Sequence, residues 1–441
     1  MKLVQFDKKL GLAASVSITV GAVIGVGIFV IVGPMGANSG SWMPLAFAIA
    51  ALPAIFGTLV SCALGSTIPT DAGGFFYTRQ LLGRYAGTAA SALVILGAIG
   101  AMMTVSMGVA DYMALYFPGL PRFLVASSLI LISWLVNWVG VMASAKFQII
   151  AVVQLASGIL LVIIASLLGG GSPDFSQPLP HGMPGFMQAC VIAMLTYTGF
   201  NIVGEMGDEI KNPRRNVPLT IAFGLGIIII LYTGIGWVVS GTLTVAEMKT
   251  SKVAVLDTAF HYLPAWTAHY INLAAFAAAI TSVNAVFLVV PRELMALSGE
   301  KMIPAWLAGY NPKRQSFPAA MALISALGCG MTFFNLNPDV WGMFCVAGLM
   351  AANALFSIGT LRLFAVFPAQ VNSSPLPIKK WWVYPSAVLS ALFSAGFAGM
   401  ALYFYKPLAL VAAILLPGAL YLCFRSGRLG RELDLGPERL E

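Results

Sequence analysis

The sequence predicts an all-α integral membrane protein with twelve transmembrane helices. Of the 441 residues, 59% are hydrophobic and only 9% are charged, whereas soluble domains carry about 25% charged residues. A helix needs about 20 predominantly apolar residues to cross the hydrocarbon core of a bilayer. The segments that are long enough lie at residues 13–33, 43–66, 86–110, 123–140, 146–168, 187–206, 217–242, 264–297, 317–335, 341–361, 382–404 and 407–424.

The distribution of basic residues predicts the orientation of these helices. Cytosolic loops of membrane proteins are enriched in Lys and Arg. With twelve spans both termini lie on one side, and all of the 24 Lys and Arg residues fall on that side except Arg122, Lys249, Lys252 and Lys406. We therefore expect a multi-pass protein of the cytoplasmic (inner) membrane with both termini in the cytosol. The net charge of +8 then reflects topology and does not indicate nucleic-acid binding.

The first predicted helix contains two glycines, Gly25 and Gly27, on either side of Val26. Each glycine in a helix interior costs about 1 kcal/mol relative to alanine. In a bilayer, a broken backbone has to be buried in protein or line a cavity, and interrupted helices form the binding sites of many transporters. The glycine pair therefore predicts a discontinuous helix at a substrate site.

A second interruption is predicted at Gly199, in the sixth segment. Segments 1 and 6 are the first members of two five-helix halves, which have opposite topology because each half has an odd number of spans. Matching interruptions in inverted halves indicate a central binding site. The predicted organisation is one transmembrane domain at 1–424, with inverted repeats at approximately 10–170 and 186–362 and extra helices at 382–424, followed by a polar cytosolic tail at 425–441.

The two interruptions offer opposite backbone groups to a ligand. The half-helix that begins after Gly27 directs N–H donors and its positive dipole end at the break, which suits a carboxylate. Carbonyl groups released around Leu195, Thr196 and Tyr197 suit an ammonium group. The sequence therefore predicts a site that binds a zwitterion without a fixed side-chain charge.

A set of motifs in this chain resembles the amino acid–polyamine–organocation transporter superfamily. The motifs are the stretches 9–11, 21–29, 68–69, 73–74, 199–200, 209–218 and 303–304, together with Gln148, Ser282, Asn284 and Arg292. The resemblance implies a LeuT-type fold, with a 5+5 inverted repeat, discontinuous helices 1 and 6, and helices 11 and 12 added. It also implies alternating access and a small amine-bearing substrate, usually an amino acid.

The resemblance further implies roles for individual residues. Amides of the first break would hold the substrate carboxylate, and the carbonyls of Leu195, Thr196 and Thr198 would hold the amine. Phe200 would cover the bound substrate or pack in the core, and Asn284 would reach the substrate or stabilise helix packing. The predicted substrate-binding set is Gly25, Val26, Gly27, Leu195, Thr196, Thr198, Gly199, Phe200, Asn201 and Asn284.

Departures from the family pattern favour a neutral substrate. Many relatives carry an acidic residue two positions after the glycine of segment 6, where this chain has Asn201, and the acid common in segment 2 is Ala63 here. A dication such as arginine or a polyamine would therefore lack a counter-ion near the first break. We expect neutral amino acids with aliphatic or medium-sized side chains. A carrier of cationic amino acids, amines or polyamines is the alternative.

Four residues are candidates for ion coupling. Gln154 stands where many proton-coupled relatives carry a lysine, so it would bridge segment 5 to the first break or join helices. Glu205 lies about 9 Å inward from Gly199 at 1.5 Å per residue, where it would carry a coupled proton or remain a solvated acid. Thr281 and Ser282 would form a sodium site or bond to their own helix. We expect proton-coupled symport or exchange, with sodium-coupled symport as the alternative.

The sequence gives no indication of enzyme chemistry. It contains no nucleophile–base arrangement, phosphate-binding loop or redox motif, and its five cysteines lie in apolar segments without ligand spacing. We therefore expect no catalytic residue, cofactor or metal. The expected partners are the amino acid substrate, a coupling proton or sodium ion, and the lipid bilayer. A receptor or channel that only senses an amino acid is the alternative class, and a sensor would be expected to carry a signalling domain.

Overall fold

The computed structural model of the protein describes residues 10–24, 27–68, 73–114, 117–139, 141–199, 210–314, 316–374, 376–406, 417, 418, 421 and 424. The regular elements of these residues are helices, and extended pairing is limited to isolated bridges at Leu10–Ile210 and Asn311–Ser316. The predicted all-α fold is therefore confirmed.

The α-helices follow one another along the described residues. They are α1 Leu12–Val23, α2 Gly27–Ser39, α3 Met43–Thr67, α4 Gly73–Leu82, α5 Arg84–Met113, α6 Arg122–Val139, α7 Val141–Leu168, α8 Gly182–Tyr197, α9 Pro213–Ser240, α10 Val245–Thr250, α11 Ala254–Tyr262, α12 Thr267–Gly299, α13 Pro318–Thr332, α14 Pro338–Thr360, α15 Leu363–Val366, α16 Pro368–Asn372 and α17 Lys380–Phe404.

Within the described residues, 7 helical segments are long and apolar enough to cross a membrane. They are Gly27–Thr67, Arg84–Met113, Ile149–Leu168, Pro213–Ser240, His269–Gly299, Pro338–Thr360 and Lys380–Phe404. The shorter apolar helices are Leu12–Gly21, Arg122–Trp138, Gly182–Tyr197 and Pro318–Thr332. A helix lies in each of the first eleven predicted segments, whereas most of 407–424 falls outside the described residues. These helices define a multi-pass membrane protein, and the count of twelve spans stays a prediction.

Helices α5 and α14 pack with their backbones in contact. A methyl group at Gly100 of α5 would lie 2.7 Å from the backbone nitrogen of Cys345, and one at Gly348 of α14 would lie 2.7 Å from the carbonyl oxygen of Leu93. Small residues allow membrane helices to approach this closely. The glycines therefore fix the relative position of two long helices in the centre of the protein.

Charged groups attach the short helix α4 to the end of α12. Glu300, at the C-terminus of α12, forms ion pairs with Arg79 of α4 at 2.9 Å and with Arg84 at 3.2 Å. The fully buried carboxylate of Glu293 accepts a hydrogen bond from the backbone N–H of Phe75 at 3.3 Å, next to the N-terminus of α4. A carboxylate is stabilised near a helix N-terminus. The two acids of α12 thus hold both halves of α4.

Replacing Glu300 with glutamine is expected to lower the melting temperature of the purified protein in detergent. The neutral amide removes the carboxylate that pairs with two guanidinium groups, and the Glu300 side chain that carries it is only 7% exposed in the native protein. The expected cost lies between about 1 kcal/mol for an exposed pair and about 3–5 kcal/mol for a buried one. Glu247→Gln is the control, because this exposed acid bonds locally to Thr244 in a capping box that glutamine can retain. Equal melting temperatures of the two variants would contradict the assignment.

Candidate functional site

A cavity with an empty volume of about 970 Å³, its open end included, lies where the ends of α1, α2 and α8 meet. The lining residues are Val23 of α1, Gly27 of α2, and Leu195, Thr196, Thr198 and Gly199 at the end of α8. The opposite walls consist of Val94, Ala98, Ala101, Thr104 and Val105 of α5, Ser282, Ala285, Val286 and Val289 of α12, and Leu349, Met350, Ala352, Asn353 and Phe356 of α14.

Gly27, the described member of the first glycine pair, begins a helix beside the cavity. Helix α1 ends at Val23, where the N–H of Ile24 donates to the carbonyl of Val20 at 2.7 Å, and α2 begins at Gly27. The first N–H groups of a helix have no acceptor within the helix. The N-terminus of α2 therefore presents donors and its positive dipole end at the cavity.

The backbone at the end of α8 has a conformation that only glycine adopts easily. Tyr197 is the last helical residue, Thr198 is extended with ψ 144°, and Gly199 has φ +94°. Glycine carries no Cβ and so reaches positive φ at little cost. The hydroxyl of Thr198 donates to the carbonyl of Leu195 at 2.6 Å. The helix therefore ends at the cavity with its last carbonyls partly satisfied by its own side chain.

Tyr232 of α9 connects the two helix ends. Its hydroxyl oxygen lies 2.8 Å from the carbonyl oxygen of Val23 and 2.9 Å from that of Thr196, so its one proton is shared between the two acceptors. Both carbonyls belong to the last turn of their helices, where no N–H within the helix is available. The Tyr232 ring is fully buried and packs edge-on against Tyr197 with centroids 5.1 Å apart. Tyr232 therefore fixes the ends of α1 and α8 relative to each other.

The charge preference of the cavity comes from the backbone. Among the lining residues that the structure describes there is no Asp, Glu, Lys, Arg or His. The C-terminal ends of α1 and α8 carry partial negative charge, and the N-terminus of α2 carries partial positive charge. The polar side chains of the lining are Thr104, Thr196, Thr198, Ser282 and Asn353. Such an arrangement suits a ligand with one ammonium and one carboxylate group.

The structure brings several of the predicted residues together. Those that line the cavity are Gly27, Leu195, Thr196, Thr198, Gly199 and Ser282. The hydroxyl of Ser282 donates to the carbonyl of Gly21 at 3.1 Å, and this bond connects α12 to α1. Thr281 is not part of the lining, and its hydroxyl donates to Ala278 of its own helix at 2.9 Å. The two adjacent hydroxyls therefore point to different partners.

Two predicted residues lie away from the cavity lining and join helices. The buried amide of Asn284 on α12 accepts a hydrogen bond from Asn137 of α6. The amide of Gln154 on α7 donates to the carbonyl of Tyr270 of α12 at 3.4 Å. In each case the contact is an interhelix hydrogen bond. The remaining predicted residues, Gly25, Val26, Phe200, Asn201 and Glu205, lie outside the described residues, so their roles stay predictions.

The cavity walls formed by α5 and α14 were not predicted from the sequence. On α5, Ala98 and Ala101 lie on one helical face with Val94, at a spacing of three to four residues. On α14, Asn353 lies on one face with Phe356 and Leu349. Two features of the sequence could have indicated these walls. They are a stripe of small residues in the third predicted segment and the side-chain amide of Asn353 in the otherwise apolar tenth segment. Tyr232, in the seventh segment, was also not predicted.

The described residues thus form a helical membrane protein with a cavity at the ends of three helices. The sequence profile of amino acid permeases matches residues 10–416 of this chain. The chain therefore belongs to the amino acid permease family. It is a membrane transporter and not an enzyme.

Three individual relatives share about a quarter of their aligned residues with this chain. An uncharacterized transporter of Mycobacterium tuberculosis is 26% identical over 315 residues, which are 70% of each chain. The vacuolar cationic amino acid transporter 4 of Arabidopsis thaliana is 26% identical over 379 residues, 80% of this chain and 62% of the plant protein. The branched-chain amino acid permease BcaP of Bacillus subtilis is 22% identical over 336 residues, 71% of each chain.

Proposed function

We propose that the protein is a secondary active transporter that carries small neutral L-amino acids across the cytoplasmic membrane by alternating access. The observation that supports this most is the cavity between the ends of α1, α2 and α8. Its described lining offers backbone charge of both signs and no ionisable side chain. A zwitterion with an uncharged side chain matches these groups, whereas an additional charge on the substrate would remain unpaired.

The proposed architecture is a LeuT-type fold with twelve spans. Helices α1 and α2 would be the halves of a discontinuous first helix, and α8 the first half of a discontinuous sixth helix. Val23, Gly27 and Gly199 line one cavity, which supports this assignment. The proposed topology has inverted repeats at approximately 10–170 and 186–362, extra helices at 382–424, and both termini in the cytosol at the inner membrane.

The substrate would lie between the helix ends. Its carboxylate would accept hydrogen bonds from the N-terminus of α2, around Gly27. Its ammonium group would donate to the carbonyls at the end of α8. The carbonyl of Leu195 already accepts hydrogen bonds from both the hydroxyl and the N–H of Thr198. The carbonyl of Thr196 accepts one hydrogen bond, from Tyr232, and its second lone pair can accept another from the substrate. The substrate side chain would contact the apolar walls formed by α5 and α14.

Coupling is proposed to be proton symport or exchange, with Glu205 as the candidate proton carrier. Sodium symport is the second possibility for coupling. Ser282 supports it to the extent that its hydroxyl oxygen lies at the cavity, 3.1 Å from the carbonyl of Gly21. Hydroxyl and carbonyl oxygens are the ligands that hard cations prefer.

A carrier of cationic amino acids or amines is the alternative substrate class. The name of the Arabidopsis thaliana relative, a cationic amino acid transporter, favours it. The name of the Bacillus subtilis relative, a branched-chain amino acid permease, favours the neutral class. We favour the neutral class, because the described lining of the cavity offers no carboxylate as a counter-ion.

Proteoliposomes that contain the purified protein are expected to take up at least one labelled neutral amino acid. The panel includes neutral amino acids, arginine and putrescine, each measured with and without sodium, a proton gradient and internal substrate. Uptake of arginine or putrescine without uptake of any neutral amino acid would contradict the proposal.

The substitution Ala101→Phe should reduce the uptake of neutral amino acids at least about tenfold, because the ring fills the cavity. The control is Ala395→Phe on α17, where the side chain is exposed.

A further inference from the structure

Four buried polar side chains connect the cavity wall to α17. The amide nitrogen of Asn353 on α14 donates to the hydroxyl oxygens of Ser394, at 2.8 Å, and Ser390, at 3.2 Å, both on α17. The hydroxyl of Ser357, one turn from Asn353 on α14, donates to the backbone carbonyl of Asn353 at 2.8 Å and lies 2.8 Å from the hydroxyl of Ser390. Asn353 is 2% exposed and the three serines are fully buried. Of these residues, only Asn353 lines the cavity.

The arrangement uses both N–H groups of the Asn353 amide. A side-chain amide has two N–H donors, and each of them here has a serine acceptor on α17. Burying a polar group without a hydrogen-bond partner is unfavourable. Because the two serines accept hydrogen bonds from both N–H groups, the amide does not need to turn toward the cavity to find acceptors. The orientation of a polar side chain in the cavity wall therefore depends on residues one helix further out.

The neighbouring serine on the same helix face behaves differently. Ser386 lies one turn before Ser390 and is also buried, but its hydroxyl donates to the carbonyl of Trp382 within α17 at 2.7 Å. Back-bonding of this kind satisfies a serine without reaching another helix. Ser390 and Ser394 thus contact Asn353 because of their position along α17, and Ser386 provides an internal comparison.

We propose that Ser390 and Ser394 are positioning residues for substrate selectivity, which hold the Asn353 amide against α17 and thereby set the size of the side-chain part of the cavity. This inference rests on the proposed function, in which the cavity binds the amino acid. It assigns a role in selectivity to α17, which lies outside the two predicted repeats. Without the serine acceptors, the amide turns into the cavity and narrows it.

The test is the double variant S390A/S394A in proteoliposomes, compared with the wild-type protein. KM is measured for the smallest and the largest neutral amino acid that the wild-type protein transports. We expect the ratio of the KM for the large substrate to the KM for the small one to rise at least about threefold, the equivalent of roughly one neutral hydrogen bond. The single variant S390A, which retains the 2.8 Å bond to Ser394, should show a smaller rise and keeps the test available if the double variant folds poorly.

Two comparisons separate positioning from a merely structural role. S386A should leave the KM ratio unchanged. In an N353A background, which enlarges the cavity, the change S390A/S394A should no longer alter the ratio, because the group that the serines position is absent. A fall in melting temperature with an unchanged KM ratio would overturn the inference, as would an equal rise of the ratio in the N353A background.

The outcomes also distinguish this inference from the proposed function. If Ala101→Phe and N353A leave the uptake of every neutral amino acid unchanged, the cavity is not the substrate site and both proposals fail. If N353A changes the KM ratio and S390A/S394A does not, only the role of the serines is wrong.

Discussion

Tyr232→Phe is expected to reduce amino acid uptake by at least about tenfold while the protein remains folded. The variant loses only the hydroxyl that donates to the carbonyls of Val23 and Thr196. These carbonyls belong to helix ends that lack other donors, and an unsatisfied buried group costs about 1–3 kcal/mol. Both helix ends line the cavity, and both are expected to shift when the hydroxyl is lost. The carbonyls at the end of α8, which would bind the substrate ammonium, would then be displaced. A factor of ten in affinity or rate corresponds to about 1.4 kcal/mol.

Tyr197→Phe is the matched control for this prediction. Its ring packs against that of Tyr232 and is equally buried, but its hydroxyl has no hydrogen-bond partner among the described residues. Initial uptake rates and KM are measured in proteoliposomes, with the melting temperature as a measure of folding. Equal effects of the two substitutions on uptake would show that ring packing matters here and that the bridge between the helix ends does not.

Backbone chemistry made part of the site predictable from the sequence. Glycine is the residue that reaches positive φ at low cost, so Gly199 indicated where regular helix would end, and the structure has φ +94° there. Gly27 similarly begins a helix at the cavity. The discontinuous transmembrane helices and the amide donors of Gly25 and Val26 remain predictions.

The walls of the cavity could not be predicted in the same way. The residue type of Ala98 or Met350 does not indicate whether the side chain faces lipid, another helix or a cavity, because all three surroundings accept apolar side chains. Only the packing of α5 against α14 decides which face is inside. Tyr232 illustrates the same difficulty, since its partners Val23 and Thr196 lie far away in sequence.

Polar residues in the spans were ambiguous for a related reason. An amide within the bilayer can bind a ligand or join two helices, and its residue type is the same in both cases. Asn284 and Asn353 are both asparagines in apolar helices. Asn284 bonds to Asn137 away from the cavity lining, whereas Asn353 lines the cavity. Sequence position alone does not separate these roles, because they depend on which neighbouring helix each amide faces.

Gly348→Ala is expected to abolish uptake and to lower the yield of folded protein. The new methyl group would lie 2.7 Å from the carbonyl oxygen of Leu93 and 2.8 Å from the backbone nitrogen of Gly97. Both atoms are backbone, so relief requires that α5 and α14 move apart. Overpacking of a core costs about 1–3 kcal/mol, and occasionally more. Separation of these two helices also displaces the cavity walls that they form.

Gly396→Ala on α17 provides the opposite expectation within the same protein. Among the described residues, no atom beyond its chain neighbours and its own helix backbone lies within 4 Å of the position that its methyl group would occupy. Alanine is also more favourable than glycine in a helix interior by about 1 kcal/mol. This variant should retain uptake and melt at the same temperature as the wild-type protein or higher. The measurement is the yield of monodisperse protein, its melting temperature and its uptake rate. If the Gly348→Ala variant takes up amino acids at the wild-type rate, α5 and α14 can separate without loss of the site. Close contact between these two helices would then not determine the shape of the cavity.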